Sequence, residues 1–350
     1  MNIVLKDQDL ASEINMRKIT VEEYLEYIRK RDRLLINNQE IVLDEPRIKK
    51  LYPDPSDFID EKRGTDTTTT VWSFPIRGKW ATNRGNYRGN WPPQIPHLLI
   101  LQYTKPGDTV LDPMIGSGTT CIEAKLLGRN CIGIDINYDA LILSMHRIYH
   151  LERYIKENKE KIREELEKYS LGKIDLEDVL SAKIELFHGD ARSIDILKDN
   201  SIDLVLTHPP YFNIIKYSSK TSSEGDLSRY RKLIDYLRGI KQVLGEIYRV
   251  LRPGHYMGIL VGDTRIRRHY VPLTHYVLEL ILQTGFILKE EIVKIQHKMK
   301  TTREFWQKIK ERDYLLIYHE KLFIARKPVN EKEYKCYKNS VRQDFILINL

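Results

Sequence analysis

The chain has 350 residues, of which 41% are hydrophobic and 30% are charged, so it is long enough to fold as one large domain with appendages. Its formal net charge of +8 favours an anionic partner, nucleic acid first, although a lysine-rich solvated surface would give the same excess. No apolar run approaches the roughly 18 residues of a membrane span, and the N-terminus lacks the charged-then-apolar order of a signal peptide. We therefore expect a cytoplasmic globular protein that does not contact a membrane.

The three cysteines are Cys121, Cys131 and Cys336. Their number is odd, and their spacing matches neither a disulfide framework nor a set of metal ligands. Thiols stay reduced in the cytosol, where disulfides are rare. The cysteines therefore predict buried, reduced thiols and no metal site.

Residues 1–70 predict an N-terminal accessory arm or a small helical subdomain. Apolar residues with helical spacing extend from Ile19 to Ile36, and Thr20 followed by Glu23 is typical of a capping box. Prolines then recur between residues 46 and 55, which indicates a connector. No catalytic pattern is evident in this part of the chain.

The most informative stretch follows a predicted strand, Thr109 to Leu111, and leads into a predicted helix, Thr119 to Leu127. Between them lie Gly116 and Gly118, whose lack of a Cβ lets the backbone turn sharply and approach a ligand. The N-terminus of the following helix offers unpaired N–H groups and a positive dipole end, which favour a carboxylate or phosphate. A second predicted strand ends in Asp135, where an acidic side chain is placed to hold a ribose.

Strand and helix patterns alternate through the rest of the chain. Further strands are predicted at residues 184–187, 202–206, 256–261, 287–296 and 314–326, and further helices at 139–150, 233–251 and 271–285. This order implies an α/β fold with a doubly wound, mostly parallel sheet that is closed by an antiparallel pair at its edge. We assign residues 71–328 to this domain and 329–350 to a C-terminal tail. A charged helical insert at about 150–180 is expected to be solvated or to lie against nucleic acid.

A second motif, Thr207-His208-Pro209-Pro210-Tyr211, directly follows one of these strands. Its two prolines fix the backbone, which holds a carbonyl and an aromatic face at the carboxyl end of the sheet, where ligands of such folds bind. This motif resembles one found in amino-methyltransferases, whose acceptor is the exocyclic amine of a base. Such an amine is a poor nucleophile, because its lone pair is delocalised into the ring. Hydrogen-bond acceptors near the amine hydrogens would make it more nucleophilic, and an aromatic ring can stack on a base that has left the helix. A neutral His208 can be such an acceptor, or it can orient the loop while the Pro209 carbonyl accepts.

Together these motifs resemble the amino-methyltransferases that use S-adenosylmethionine to methylate cytosine N4 or adenine N6 in DNA. The stretch from Asp112 to Thr120 resembles the cofactor loop of that family, and His208 to Tyr211 resembles its (Ser/Asp/Asn)-Pro-Pro-Tyr motif with histidine in the first position. The resemblance implies a Rossmann-like methyltransferase fold, S-adenosylmethionine as cofactor, and catalytic roles for His208, Pro209, Pro210 and Tyr211. The cofactor-binding residues that it implies are Asp112, Met114, Gly116, Ser117, Gly118, Thr119, Thr120, Asp135, Ile136, Asp190, Ala191 and Gln94.

Between residues 67 and 96, aromatic side chains alternate with basic ones across glycine-bearing turns. This composition suits base stacking and phosphate contact, or a structural collar of half-buried tryptophans. The end of the segment, Trp91 to Pro96, resembles the family's element that packs on the methionine end of the cofactor, with Ile95 in place of its lysine. The predicted substrate contacts are Trp80, Arg88, Trp91, Phe212, Asn213, Lys216, Lys298 and Lys300.

The sequence is compatible with either DNA or structured RNA as the methyl acceptor. The pattern Thr-x-Pro-Pro-Tyr-Phe-Asn resembles the cytosine-N4 branch, so cytosine in DNA is favoured over adenine, as in restriction–modification. No separate block for reading a DNA sequence is evident, and RNA enzymes with related motifs modify bases in a folded context, so cytosine N4 of ribosomal RNA is the alternative. A non-catalytic nucleic-acid binder and a small-molecule methyltransferase fit less well, and oligomeric state is not predicted.

Overall fold

A computed structural model describes residues 15–36, 39–169, 174–212, 226–297 and 313–342. The strands of these residues are, in chain order, β1 (Arg17–Ile19), β2 (Arg33–Ile36), β3 (Gln39–Val42), β4 (Val71–Ser73), β5 (Thr109–Asp112), β6 (Asn130–Asp135), β7 (Ile184–His188), β8 (Ile202–Thr207), β9 (Leu251–Val261), β10 (Thr264–Ile266), β11 (His269–Val271), β12 (Ile287–Ile295) and β13 (His319–Arg326). The helices are α1 (Val21–Lys30), α2 (Gln94–Tyr103), α3 (Thr119–Leu126), α4 (Tyr138–Glu157), α5 (Lys159–Tyr169), α6 (Leu176–Ser181), α7 (Leu233–Val250), α8 (Leu273–Gln283) and α9 (Glu331–Cys336).

Nine of these strands form one sheet in the order β1-β7-β6-β5-β8-β9-β13-β12-β4. The strands from β7 to β9 are mutually parallel, and β13 runs antiparallel to both β9 and β12. The predicted mostly parallel α/β fold is confirmed. Two short strands that were not predicted extend it, since β4 pairs with β12 and β1 pairs with β7. The chain proceeds outward from β5 in one direction and returns to its other side with β8, so a crevice forms at the carboxyl ends of β5 and β8.

Helices cover both faces of the sheet and enclose two apolar cores. One core contains Leu99, Ile122 and Leu141 from α2, α3 and α4, and the other contains Ile240 and Val277 from α7 and α8. Full burial of an aliphatic side chain of this size contributes about 1.5–3 kcal/mol. All residues of β8 are buried, as expected for a parallel strand covered on both faces. The sheet therefore holds the residues that follow β8 on a rigid base.

The N-terminal helix is shorter than its spacing predicts. The hydroxyl of Thr20 accepts a hydrogen bond from the Glu23 amide at 3.1 Å, which confirms the predicted cap. The helix ends at Lys30, however, so the predicted helix from Ile19 to Ile36 is wrong at both ends. Leu34 and Ile36 alternate with exposed neighbours in β2, which pairs with β3, and this period of two is that of a half-buried strand.

Other boundaries also differ from the predicted ones. Strand β9 begins at Leu251 instead of residue 256, because Leu251 already pairs with Ile202 of β8. Strand β13 begins at His319 instead of residue 314. The charged insert is solvated on one side only, because Ile162 of α5 is fully buried.

The cysteines correct a prediction. Cys121 at the start of α3 and Cys131 in β6 form a disulfide across Cα atoms 5.3 Å apart, and Cys336 is exposed. Both bonded residues are buried, but the predicted reduced state is wrong because α3 packs directly on β6. Among the described helices, none combines the length and apolar character needed to cross a bilayer.

Candidate active site

The loop between β5 and α3 contains two glycines with left-handed backbone conformations. Their φ angles are 53° at Gly116 and 88° at Gly118. A Cβ at Gly116 would lie 3.2 Å from the ring of Tyr87, and a Cβ at Gly118 would lie 3.2 Å from the hydroxyl of Ser144. Other residues would be strained and crowded at both positions. The glycines therefore form the tight turn that their spacing predicts.

Two carboxyl groups lie beside this loop, at the ends of β5 and β6: Asp112 is buried and Asp135 is partly exposed. Asp112 accepts hydrogen bonds from the Thr120 hydroxyl and from the Met114 amide, the latter at 3.1 Å. Asp135 accepts from the Gly116 and Asn137 amides, each at 2.8 Å. Burial outweighs these hydrogen bonds and raises the pKa of Asp112 to about 7 and that of Asp135 to about 6.

The raised pKa of Asp112 predicts a pH-dependent contribution to stability. An unfolded aspartate titrates near 3.9, so between about pH 4 and 7 the folded state holds a proton that the unfolded state has lost. The contribution is fully present below about pH 4 and is lost as the pH rises through 7. Relative to Asp112→Asn, the wild type should lose roughly 1.4 kcal/mol of unfolding free energy per pH unit across this interval. Urea denaturation of both proteins across the interval measures this, and a constant difference would contradict it.

The second motif lies across the crevice, where β8 ends. Nε2 of His208 lies 2.7 Å from the Tyr211 hydroxyl, which donates to Oε1 of Glu320 at 2.7 Å. Burial lowers the pKa of His208 to about 4, although the Glu320 carboxylate opposes the shift, so the imidazole is neutral near pH 7. The Trp91 ring stacks on this imidazole, with centroids 5.9 Å apart and planes 21° apart. A neutral imidazole has one nitrogen that accepts a hydrogen bond, which is the property the predicted chemistry needs.

The glycine loop and the second motif line one open cleft. The predicted site residues that line it are Asp112, Met114, Gly116, Ser117, Thr119, Asp135, Ile136, Asp190, Ala191, Trp91, His208 and Pro210. Two further predicted residues support the cleft without lining it. The Thr120 hydroxyl donates a hydrogen bond to Asp112, and Gly118 forms part of the loop turn. The structure thus brings the two motifs together at the switch point of the sheet.

Residues 77–93, which we call the strap, cross the outer side of α3. Trp80, Asn83 and His97 all direct nitrogen atoms at the buried carboxylate of Glu123, at 3.0, 2.6 and 2.7 Å. Further along the strap, the Asn90 amide donates to the Ser117 hydroxyl at 3.0 Å. The strap is therefore anchored to α3 at one end and to the glycine loop at the other.

Replacement of Glu123 by alanine is expected to lower the free energy of unfolding by about 3–5 kcal/mol. The change leaves three buried polar groups without their shared acceptor, and such losses are among the largest that one substitution causes. Chemical denaturation measures the effect, with Glu164→Ala as the control because Glu164 is exposed on α5. A loss within about 0.5 kcal/mol, the range of ordinary surface changes, would show that Glu123 does not anchor the strap.

Three predicted site residues lie in the core instead of the cleft. Trp80 is fully buried with its N–H bonded to Glu123, so a base cannot stack on it. Gln94 is fully buried and binds the backbone of Gly78 and Ile76, and Phe212 packs against Tyr236 in the second core. The described structure thus gives no support to the ligand contacts predicted for these three residues, and the burial of Trp80 is closer to the structural alternative, although that alternative was a half-buried collar and Trp80 is fully buried. Arg88 is exposed, and Asn213, Lys216, Lys298 and Lys300 lie outside the described residues.

Several cleft residues were missed by sequence reasoning. Tyr87 and Asn90 belong to the aromatic and basic segment, so a signal for them was present. Asp226 and Val243 line the cleft from beyond β8, and no local pattern marks them. Glu320 carries no local signal either, because it lies more than a hundred residues after the Tyr211 that it binds.

Comparison with known proteins decides the family. Residues 6–145 and 202–344, most of the chain, match the model of the N6/N4 methyltransferases, described as DNA methylase. The chain belongs to this DNA methylase family. A second model, the RMKL-like methyltransferase domain, matches residues 97–225 of the same chain.

Individual relatives of this DNA methylase family member match shorter stretches. The Type II methyltransferase M2.MboI of Moraxella bovis is 34% identical over 111 residues, which are 31% of this chain and 41% of that protein. The tRNA (guanine(10)-N2)-dimethyltransferase of Methanothermobacter thermautotrophicus is 28% identical over 150 residues, 43% of this chain and 34% of that protein. The DNA adenine methyltransferase YhdJ of Escherichia coli is 33% identical over 93 residues, 27% of this chain and 32% of that protein. The chain therefore spans well under half the length of these relatives.

S-adenosylmethionine is the methyl donor of this family. The cleft fits such a ligand. Its lining includes the carboxyl groups of Asp112 and Asp135, which can accept hydrogen bonds from a ligand that carries hydroxyl and ammonium donors, and the backbone turn at Gly116. The Thr119 hydroxyl also lines the cleft, is buried, and makes no hydrogen bond to the described residues. A bound ligand would satisfy this hydroxyl.

Proposed function

We propose that this methylase transfers a methyl group from S-adenosylmethionine to the exocyclic amine of a base in DNA, with cytosine N4 as the acceptor. The observation that carries the proposal is the single cleft in which the neutral imidazole of His208 and the carboxyl groups of Asp112 and Asp135 meet. One wall then serves the cofactor and the other serves the base.

When bound, the cofactor would supply an electrophilic methyl group on a sulfonium: the amine nitrogen would bond to the methyl carbon as the sulfur–carbon bond breaks to leave a neutral thioether. The proton that the amine then releases would pass to His208 or to solvent. We assign the ribose hydroxyls to Asp135 and the adenine to Asp190 with Ala191. The Asp190 carboxylate is fixed for this role by an ion pair with Arg192 at 2.6 Å. The backbone of the glycine loop and the hydroxyl of Thr119 hold the polar end of the same ligand. These assignments use polar groups that already line the cleft.

The base is held by the opposite wall. His208 and the carbonyl of Pro209 accept hydrogen bonds from the amine hydrogens, which favours a tetrahedral, more nucleophilic nitrogen. Trp91 packs on the imidazole and keeps its ring plane fixed. The two prolines restrict the backbone that carries the acceptors, so little reorganisation is needed when a base enters. This preorganisation is the chain's main contribution to rate.

Cytosine is proposed over adenine because of the sequence Thr207-His208-Pro209-Pro210-Tyr211-Phe212-Asn213. Its resemblance to the cytosine-N4 branch supports that choice. Adenine N6 is the alternative within DNA, supported by the similarity to the DNA adenine methyltransferase of Escherichia coli. Nucleoside analysis of the methylated product separates the two.

A second candidate substrate is structured RNA. The tRNA dimethyltransferase of Methanothermobacter thermautotrophicus matches a larger share of this chain than the two DNA enzymes described above. The net charge of +8 suits either polynucleotide. Methylation of a base in folded RNA would use the same amine-binding wall.

The experiment offers duplex DNA and total RNA, separately and in competition, to the full chain with S-adenosylmethionine labelled in its methyl group. Label in DNA is the expected result. Label in RNA alone would replace DNA by RNA as the substrate, and label in neither would refute the proposed activity. The His208→Ala protein, purified in parallel, controls for contaminating methyltransferases.

We also propose boundaries for the parts of the chain. Residues 71–328 form the methyltransferase domain, residues 1–70 an accessory arm, and 329–350 a tail. In support of a docked arm, Tyr24 of α1 lies 2.8 Å from a ring nitrogen of His146 in α4, and β1 joins the main sheet.

A further inference from the structure

A row of four polar side chains leads from the cleft to the far strands of the sheet. His208 contacts Tyr211, Tyr211 donates to Oε1 of Glu320, and Lys294 donates to Oε2 of Glu320 at 2.8 Å. Lys294 and Glu320 are direct cross-strand partners in the antiparallel pair of β12 and β13. The register of these two strands therefore positions a carboxylate behind Tyr211.

The hydrogen bonds in this row have only one consistent direction. The Glu320 carboxylate is ionised, because the charge of Lys294 outweighs the cost of burial and holds its pKa at about 2. An ionised carboxylate only accepts, so Tyr211 uses its single hydroxyl proton on Glu320. The contact of 2.7 Å between the hydroxyl and Nε2 of His208 must then be a donation from Nε2–H to the tyrosine oxygen.

This direction determines where the lone pair of the imidazole lies. A neutral histidine carries one N–H, so protonation at Nε2 leaves the lone pair on Nδ1. Nδ1 is buried and is left without a hydrogen-bond partner among the described residues, although the backbone carbonyl of Gly89 lies near the ring and favours a proton on this side. The ring lines the cleft, and Trp91 covers one of its faces. Nδ1 is thus the nitrogen of His208 that remains for a ligand.

We propose that Lys294 and Glu320, acting through Tyr211, hold His208 in the Nε2–H tautomer so that Nδ1 presents its lone pair to an amine hydrogen of the acceptor base. This inference rests on the proposed function, since it names the ligand of Nδ1. Lys294 and Glu320 are positioning residues, because they act through Tyr211 and do not touch the base.

Replacement of the Glu320 carboxylate would remove the group that fixes the direction of the hydrogen bond between His208 and Tyr211. The Tyr211 hydroxyl could then donate to Nε2, and the imidazole proton would move to Nδ1, where the nearby Gly89 carbonyl would stabilise it. Nδ1 would then have no lone pair to accept a hydrogen bond from the amine. Enzymes whose histidine is held in the wrong tautomer lose up to about 10⁴-fold in turnover, so we expect Glu320→Gln to lower kcat by roughly 100-fold or more.

The test reads the tautomer directly, without requiring activity. Protein labelled with ¹⁵N-histidine is examined by two-bond ¹H–¹⁵N correlation, and the His208 signals are identified by their loss in His208→Gln. The wild type should show a protonated Nε2 and an unprotonated Nδ1. In Glu320→Gln and Tyr211→Phe, the Nδ1–H form should gain population. A wild-type signal from Nδ1–H, or an unchanged tautomer in both variants, would overturn the proposal.

Two further variants guard against indirect effects. Glu291→Gln is the matched control, because Glu291 forms a similar ion pair with Lys321 at 2.6 Å on the same two strands but away from Tyr211. It should change neither the tautomer nor the rate. Glu320→Gln leaves the buried Lys294 charge unpaired, so the double variant Lys294→Met with Glu320→Gln tests the tautomer if the single variant fails to fold.

Methyl transfer supplies the second readout. If the wild type is active, Glu320→Gln should lower kcat and leave the KM for the cofactor unchanged, while Glu291→Gln retains wild-type values. A fall in cofactor affinity as large as the fall in kcat would assign Glu320 a structural role and overturn the proposal. If the wild type methylates neither DNA nor RNA, the proposed function fails, whereas the tautomer measurement still decides whether the row controls His208.

Discussion

Replacement of His208 by alanine is expected to lower the rate of methyl transfer by roughly 10²- to 10⁴-fold, the usual contribution of a positioned acid–base group. Cofactor affinity should stay near the wild-type value. The reason is geometric: the imidazole follows β8, whereas Asp135 and the glycine loop follow β6 and β5, so its loss removes an acceptor for the amine and none of the hydrogen bonds that hold the cofactor loop. Single-turnover kinetics and calorimetric titration measure the two quantities on the same protein.

Alanine also removes the ring on which Trp91 stacks, so a second variant is needed. His208→Phe keeps an aromatic ring at this position but has no nitrogen acceptor, and it should lose activity as the alanine variant does. His275→Ala is the control, because His275 is exposed on α8 and its loss should not alter the rate. Retained activity in His208→Phe would mean that packing, and not hydrogen-bond acceptance, is the function of this residue.

Replacement of Asp135 by alanine is expected to weaken the binding of S-adenosylmethionine by about 10- to 100-fold. Hydrogen bonds to a charged group contribute about 1.5–3 kcal/mol, and this carboxyl also holds the Gly116 and Asn137 amides, so both a ligand contact and the loop shape are affected. Calorimetric titration with S-adenosylmethionine measures the dissociation constant. The rate at saturating cofactor should fall much less than the affinity.

Asp135→Asn refines this test, since the amide keeps one oxygen acceptor and should bind with intermediate affinity. Asp195→Ala is the control, because Asp195 is exposed on the segment after β7. An unchanged dissociation constant in Asp135→Ala would exclude the ribose role. Loss of secondary structure in the variant, checked by circular dichroism, would instead show that Asp135 mainly supports the loop.

The cleft was predictable where local sequence determines local geometry. The turn at Gly116 and Gly118 depends on neighbouring residues alone, because the absence of a Cβ decides which backbone conformations are open. The position of His208 at the end of β8 follows from two prolines that come directly after a buried strand. The alternation of strands and helices then predicts that both motifs lie at the same edge of a parallel sheet.

What could not be predicted depends on distant pairing. Glu320 reaches Tyr211 because of the register of β12 and β13, which no local pattern reveals. The strap shows the same limit at shorter range. Trp80 and Trp91 look alike in the sequence, yet Trp80 faces the carboxylate of Glu123 in the core whereas Trp91 faces His208 in the cleft. Which side of an irregular segment faces inward is decided by the residues that it packs on.

The nucleoside composition of DNA after reaction with S-adenosylmethionine carrying a deuterated methyl group tests the central claim most directly. An amine-binding wall built on His208 and Pro209 predicts that the label appears in N4-methyldeoxycytidine. Label in N6-methyldeoxyadenosine would keep the amine chemistry and overturn the choice of cytosine. Label at C5 of cytosine would contradict the account, because the proposed site activates an exocyclic amine, and no thiol that could add to a ring carbon is found among the described residues that line the cleft.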